Sequence, residues 1–279
     1  MFALYRKKVH ADGEHPHRTL PQLAHELVCR IAQALPGRRI IVAVDGLYAT
    51  KDFFGELPAN VAAVSRLRKD AALRTANVPA RTGGGGRPRL RGDRLAGLEA
   101  LKQQAQDWKT VELRKQGRTV RRRICGLNCQ WYHVCRGKPV RVVFVQDPDG
   151  VEDDLHAVST DPALSDQEIV QEFYDRWGIE ESIQEGKQQM GMERTRGWCA
   201  RTVSRQAPLA MLLGSLVKLW HLQCRVARGR WHPQPLPWYP QKNGVSFRDM
   251  LAALRWALWQ DRLLCNFHGR WKSNTGVSI

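Results

Sequence analysis

The chain has 279 residues, 43% of them hydrophobic, enough to bury a core in one large domain or two ordinary ones. Lysine and arginine number 44 against 27 aspartate and glutamate, a net charge of +17. That excess points first to a polyanionic partner, usually nucleic acid, with a solvated basic surface as the alternative. The opening MFALYRKKVHADG lacks the apolar core of a signal peptide, and an odd count of seven cysteines fits a reduced, cytoplasmic protein.

In chain order, residues 17–35 place Leu20, Leu23, Ala24, Leu27, Ile31 and Leu35 at helical spacing. Thr19 is the expected cap, and Pro36-Gly37 stops the helix. In RRIIVAVDGLY, five apolar residues in a row read as a strand buried on both faces in mid-sheet, ending at Asp45-Gly46. A second helix, TKDFFGEL, and a strand, VAAVSRL, follow. The stretch RTGGGGRPRLRGDR (81–94) is a charged loop without the Gly-Lys-Ser/Thr ending of a phosphate-binding loop. From 107 to 160, WKTVELR, TVRRRIC, QWYHVC, PVRVVFVQD and LHAVST read as short strands between turns such as KQGR and DPDG.

From 164 onward the pattern is helical. The apolar run APLAMLLGSLVKLWHLQC (207–224) contains Lys218 and His221 and barely reaches the length of a membrane span. It reads as a buried core helix with Pro208 near its first turn. The last helix, SFRDMLAALRWALWQDRLL, has Ser246 and Asp249 spaced as a capping box.

Two places carry chemistry. Asp45 falls at the carboxyl end of a strand, where ligands bind in open α/β sheets. A carboxylate there suits Mg²⁺, which takes one or two carboxylates, waters and substrate phosphates; the plain alternative is a turn aspartate before glycine. In QEFYDRWGIEESIQEGKQQMG (171–191), Phe173, Arg176, Glu180, Ile183, Lys187 and Met190 fall on or near one helical face. Ordinary amphipathic helices keep charges off the face that packs. A glutamate flanked by two cations suits metal coordination, with the cations near phosphate; a surface helix laced with ion pairs is the alternative.

The segment FYDRWGIEESIQEGK resembles the third catalytic block of the DDE transposases of bacterial insertion sequences, in the subgroup with the signature Tyr-x2-Arg-x3-Glu-x6-Lys. Arg176, Trp177, Ile179, Glu180 and Lys187 match; Phe173 stands at the tyrosine position, with Tyr174 one place later. The stretch from Ile40 to Leu73 similarly resembles the second-aspartate block, which makes Asp45 the second catalytic carboxylate.

The resemblance implies an RNase H-like α/β core in which carboxylates hold two Mg²⁺ (or Mn²⁺) ions for in-line phosphoryl displacement. It also implies double-stranded DNA as partner, both transposon ends and target, a possible homodimer on DNA, no membrane, and a cytoplasmic, nucleoid-associated bacterial location. The implied organisation is a first part of the core over 1–80, a β-rich insertion over 81–160, and the catalytic helix with the rest of the core over 161–279. The catalytic and metal residues implied are Asp45 and Glu180. Arg176 and Lys187 are the implied DNA contacts, joined by Arg66, Arg68 and Lys69 after the second strand and by Arg121, Arg122 and Arg123, which with Arg118 form a dense basic run.

A first aspartate, expected in an Asp-x-Thr context ahead of the first helix, is not found; only Asp12 precedes that helix. The expectation is therefore a copy truncated at its start, lacking its first strands and inactive. Binding DNA without catalysis, or acting as an RNase H-like nuclease unrelated to transposition, are the alternatives. Cys125, Cys129, His133 and Cys135 resemble zinc ligands but lie in expected strands, where buried cysteines are the simpler reading. Trp131 could stack on an unpaired base, although packing is the commoner use of tryptophan.

Overall fold

A computed structural model describes residues 16–78, 90–194, 199–228 and 244–259, together with Tyr5, Lys7, Lys8, Gly13, Pro240 and Lys242; most of the Gly/Arg loop, 79–89, lies outside them. It contains two compact units, residues 1–178 and 179–279.

The first unit opens with α1 (Leu20–Ala34). Thr19 caps it: its hydroxyl accepts from the Gln22 N–H and the Gln22 side chain accepts from the Thr19 N–H, a complete capping box. Next come β1 (Ile40–Val44), a 3-10 turn (Gly46–Tyr48), the one-turn α2 (Lys51–Phe54) and β2 (Val61–Arg66). The short β3 (Arg74–Thr75) and α3 (Leu98–Gln104) lead to β4 (Lys109–Lys115) and β5 (Arg118–Gln130). α4 (Tyr132–Cys135), β6 (Pro139–Gln146), β7 (Leu155–Ser159) and α5 (Asp166–Asp175) complete the unit.

The seven strands among the described residues form one sheet in the order β1-β2-β7-β6-β5-β3, with β4 also on β5. β1 and β2 are parallel, and the remaining named strand pairs run antiparallel. The fold is mixed α/β, consistent with an RNase H-like core. Gln116 and Gly117, both at positive φ, turn β4 into β5 as a tight two-residue hairpin.

One face of the sheet buries Val140, Val142, Phe144 and Val158 beneath Val28, Phe53, Phe54 and Leu98. The other buries Val64, Leu113, Ile124, Val143 and Val145 beneath Ile169 and Val170 of α5. This is the three-layer solution, helices on both faces, for a sheet apolar on both sides. α5 also covers the outer edge of β4. Gln167 donates to the Glu112 carbonyl (3.3 Å), and Gln171 both donates to the Arg114 carbonyl (3.0 Å) and accepts from the Arg114 N–H (2.9 Å). Two glutamines thus satisfy an edge that would otherwise invite another strand.

The strands of 107–160 share one sheet with β1 and β2, since β7 pairs with β2. A chain read segment by segment shows strands but not their partners. Several expectations are corrected. β1 is not central. Among the described residues it pairs with β2 alone, at the sheet edge, and all five of its residues are half-buried. QWYHVC is not a strand: β5 ends at Gln130, and Tyr132–Cys135 form one helical turn closed by Arg136 at φ 52°.

The second unit holds most of α6 (Trp177–Gln189), α7 (Ala200–Arg228) and α8, helical over 247–259. Ser246 and Asp249 cap α8 reciprocally, as their spacing predicts. Pro208 lies well inside α7, eight residues past its start, and not in its first turn. Nor is α7 a buried helix: Leu209, Leu212, Leu216 and Leu219 are each half exposed or more. No described helix is long and apolar enough to cross a membrane.

Candidate active site

The carboxyl ends of β1 and β2 lie side by side because the strands are parallel and in register, Val44 opposite Ser65. Asp45 and Arg66 therefore emerge together. Asp45 leaves the strand in an extended conformation and caps the 3-10 turn, its carboxylate accepting from the Gly46 N–H at 2.7 Å. This is the hydrogen bond of a turn aspartate before glycine, and it holds an exposed carboxylate at the strand end.

A cleft of about 470 Å³ opens there, lined by Asp45 and Arg66, by Lys115 and Arg122 of the β4–β5 hairpin, by the acidic β6–β7 loop, and by Phe173, Tyr174, Arg176 and Trp177. Arg176 lines it from the end of α5, its guanidinium 5.7 Å from the centre of the Phe173 ring. Phe173 and Tyr174, adjacent in sequence, both reach the cleft. Thus Asp45, Arg66, Arg122 and Arg176 are gathered in one place.

Arg122 is 5% exposed and held from several sides. Its Nε donates to the Tyr174 hydroxyl (3.3 Å), Nη1 to Asp147 (3.1 Å) and to the Arg121 carbonyl (2.7 Å), and Nη2 to Glu152 (2.7 Å). Burial works against its charge, but the bonds to Tyr174 and Glu152 outweigh burial and raise its pKa. The Lys115 ammonium, joined by Arg122, holds Glu152 below the usual carboxylate range. Backbone N–H donors, the Glu152 N–H foremost, lower Asp147 likewise.

The other basic residues are placed elsewhere. Strand alternation splits the run Arg121-Arg122-Arg123: Arg122 points with Val120 and Ile124 to the α5 side, while Arg121 and Arg123 project, exposed, from the opposite face. Arg123 stacks over Trp108 at 5.2 Å. Arg68 forms a forked pair with Asp70 (3.0 and 2.9 Å) in the turn after β2, beside the exposed Lys69.

The helix expected over 171–191 is broken at Arg176 into α5 and α6. Glu180 lies in the first turn of α6 and Lys187 in its last, where Lys187 pairs with Glu193 at 2.5 Å. Within the second unit α6 packs through Ser182, Glu185 and Gly186, where Lys218 of α7 bonds Glu185 at 2.6 Å and Ser182 at 3.4 Å. Glu180 and Lys187 are on the opposite side of the helix from these residues. The charged stripe is therefore not the side that packs within this unit, which resolves the conflict posed by the sequence.

Cys129 and Cys135 sit in the apolar core with Trp131, and burial pushes both thiols up to about 12. His133 lies with Cys135 on α4, whereas Cys125 and Cys129 lie on β5. Trp131 is 5% exposed and packs edge-to-face on Phe54, so it is a core residue and not a stacking platform. Among the described residues no group of three or more His, Cys, Asp or Glu side chains is gathered to hold a metal. Asp45, exposed in this cleft, is the residue that would hold a Mg²⁺ or Mn²⁺ ion, with the ion's other ligands drawn from water and substrate phosphate.

Residues 5–138 match the family model of the DDE superfamily endonucleases. The match supports that superfamily for this part of the chain and includes Asp45, Arg66 and Arg122, but stops short of Arg176, Glu180 and Lys187. No curated protein matches the chain.

Proposed function

We propose that the chain belongs with the proteins of DNA transposition, metal-dependent enzymes that cleave and rejoin DNA at transposon ends, and that with only two of the three catalytic carboxylates found it is inactive in cleavage as it stands. The observation that carries this reading is the position of Asp45. It is a carboxylate at the carboxyl end of a parallel strand pair, in a cleft that also presents Arg66 and Arg176, within a segment matching DDE superfamily endonucleases. The block around Glu180, which resembles that of insertion-sequence transposases, supports the narrower assignment.

In this reading Asp45 and Glu180 are the carboxylates that hold the divalent ion. The ion, when bound, supplies Lewis-acid stabilisation of the phosphoryl oxygens and lowers the pKa of an attacking water or 3′-hydroxyl. The protein's own residues place the DNA. Arg66 and Arg176 neutralise backbone phosphates at the cleft mouth, with planar forks suited to a phosphate edge. Arg68, Lys69, Arg121, Arg123 and Lys187 add exposed positive charge for the flanking duplex. Arg122, buried and paired with Asp147, Glu152 and Tyr174, organises the cleft from within.

The test is nicking of supercoiled plasmid by the purified chain. No metal-dependent nicking is the expected outcome for a chain in which the first catalytic aspartate is not found; nicking with Mg²⁺ or Mn²⁺ that is lost with EDTA, with Asp45→Asn and with Glu180→Gln would overturn the inactivity. A second reading, DNA binding with no metal chemistry in this cleft, draws on the net charge of +17. Salt-dependent DNA binding that Mn²⁺, Asp45→Asn and Glu180→Gln all leave unchanged would establish it in place of the first.

A further inference from the structure

We infer that Lys115 and Arg122 form a phosphate subsite beside Asp45 and that Glu152 is a built-in competitor for it. The inference rests on the proposed binding of DNA in this cleft. One Glu152 oxygen, Oε2, accepts from both the Lys115 ammonium (2.5 Å) and Nη2 of Arg122 (2.7 Å), as one oxygen of a phosphodiester would.

The two cations are fixed without Glu152. They stand on the antiparallel pair β4 and β5, joined by the tight turn at Gln116-Gly117. Lys115 lies 5.4 Å over the ring of Tyr174, whose hydroxyl accepts from Nε of Arg122. Arg122 spends its other donors on Asp147 and on its own strand, and leaves Nη2 for Glu152. The anion is the least buried member: its side chain is 41% exposed, against 29% for Lys115 and 6% for Arg122.

Exchange of Glu152 for a phosphate therefore keeps the cations, their supports and the charge balance. It needs only the Glu152 side chain to swing outward. The consequence is a threshold on binding: DNA that reaches the cleft must displace a carboxylate, so loosely held duplex is disfavoured there. The Glu152 carboxylate then leaves a pair of donors whose spacing suits a phosphate beside the ion held by Asp45.

The experiment is a fluorescence-anisotropy titration of a labelled duplex of about 25 base pairs across a salt series, with the full chain, Glu152→Gln and Asp149→Asn. Asp149, exposed on the same loop, controls for the general loss of a negative charge. Glu152→Gln is expected to bind about 3- to 10-fold tighter, with a salt slope steeper by about 1 to 2, since each freed cation releases roughly one counterion. Asp149→Asn is expected to stay within about twofold of the parent, and adding Lys115→Gln to Glu152→Gln is expected to remove the gain.

Equal or weaker binding by Glu152→Gln with an unchanged melting temperature overturns the inference. So does a gain that Asp149→Asn reproduces or that survives Lys115→Gln. In those cases DNA binding by the parent still stands. Absence of binding by the parent at every salt concentration overturns the proposed function and the inference with it.

Discussion

Arg122 shows how little a residue's type says about its use. In sequence it is one of three consecutive arginines and looks interchangeable with its neighbours. Period-two alternation sends it alone into the unit, against Tyr174, Asp147 and Glu152, while Arg121 and Arg123 stay in solvent. Arg122→Ala would strand two carboxylates, and a drop in melting temperature on the order of 10 °C is expected. Arg122→Lys should recover little of it, since an ammonium cannot span Tyr174, Asp147 and Glu152 together. Arg121→Ala and Arg123→Ala are expected to leave melting nearly unchanged while weakening DNA binding. Thermal unfolding of the four variants, followed by circular dichroism, checks this division.

His156 gives a pH prediction at the same scale. It is 6% exposed, packed edge-on against Phe144 at 5.4 Å, with Glu99 at 3.6 Å and Lys102 nearby. Burial, the largest influence, lowers its pKa from 6.5, and the attraction of Glu99 offsets this only in part. A depressed pKa means the unfolded chain binds the proton more readily, so this contribution to stability is present above 6.5 and lost as pH falls below it. The melting temperature is expected to decline from pH 7 toward pH 5, and His156→Leu should flatten that decline. An equally steep decline in the variant would assign the effect to other groups.

At the scale of elements, what was legible in the sequence were features with local causes. The Thr19 box, the Ser246–Asp249 box and the KQGR turn are each set by residues three or fewer positions apart, and each appears as expected. What was not legible depended on distant partners. A run of five aliphatic residues predicts a strand but not whether a neighbour flanks both sides, and β1 proves to be an edge. Likewise the charged stripe of 171–191 has helical spacing throughout, yet spacing says nothing of the break at Arg176 or of which side of α6 meets α7. Asp45 and Arg176 could be singled out; their meeting in one cleft required the parallel pairing of β1 with β2 and the seat of α5 on the sheet.

α5 is the element on which the cleft most depends, because it carries Phe173, Tyr174 and the approach to Arg176. Its anchor is Ile169, fully buried between the sheet and the helix backbone. Ile169→Ala is expected to cost about 2–5 kcal/mol of unfolding free energy, by lost burial plus the cavity left behind. Ser165→Ala, which removes the helix cap bonded to Glu168, is expected to cost about 1 kcal/mol. Urea titrations read both, and Ile169→Ala should also loosen DNA binding, since Tyr174 and Arg176 would lose their support.

At the scale of the whole molecule, a chain of net charge +17 gathers five carboxylates around one cleft, and binds Asp147, Glu152 and Asp154 to cations. Asp45 stands apart from these pairs. Its carboxylate accepts from the N–H of Gly46, next in the chain, which leaves its role to be set by what enters the cleft. The measurement that bears most directly on that role is Mn²⁺ binding, followed by the loss of the free-ion signal in electron paramagnetic resonance, for the full chain with duplex DNA and for Asp45→Asn. The expected result is binding by the parent that is weakened at least about tenfold in the variant, as loss of a charged ligand from a hard-ion site requires. Equal binding of Mn²⁺ by both proteins would contradict it and remove Asp45 from the chemistry.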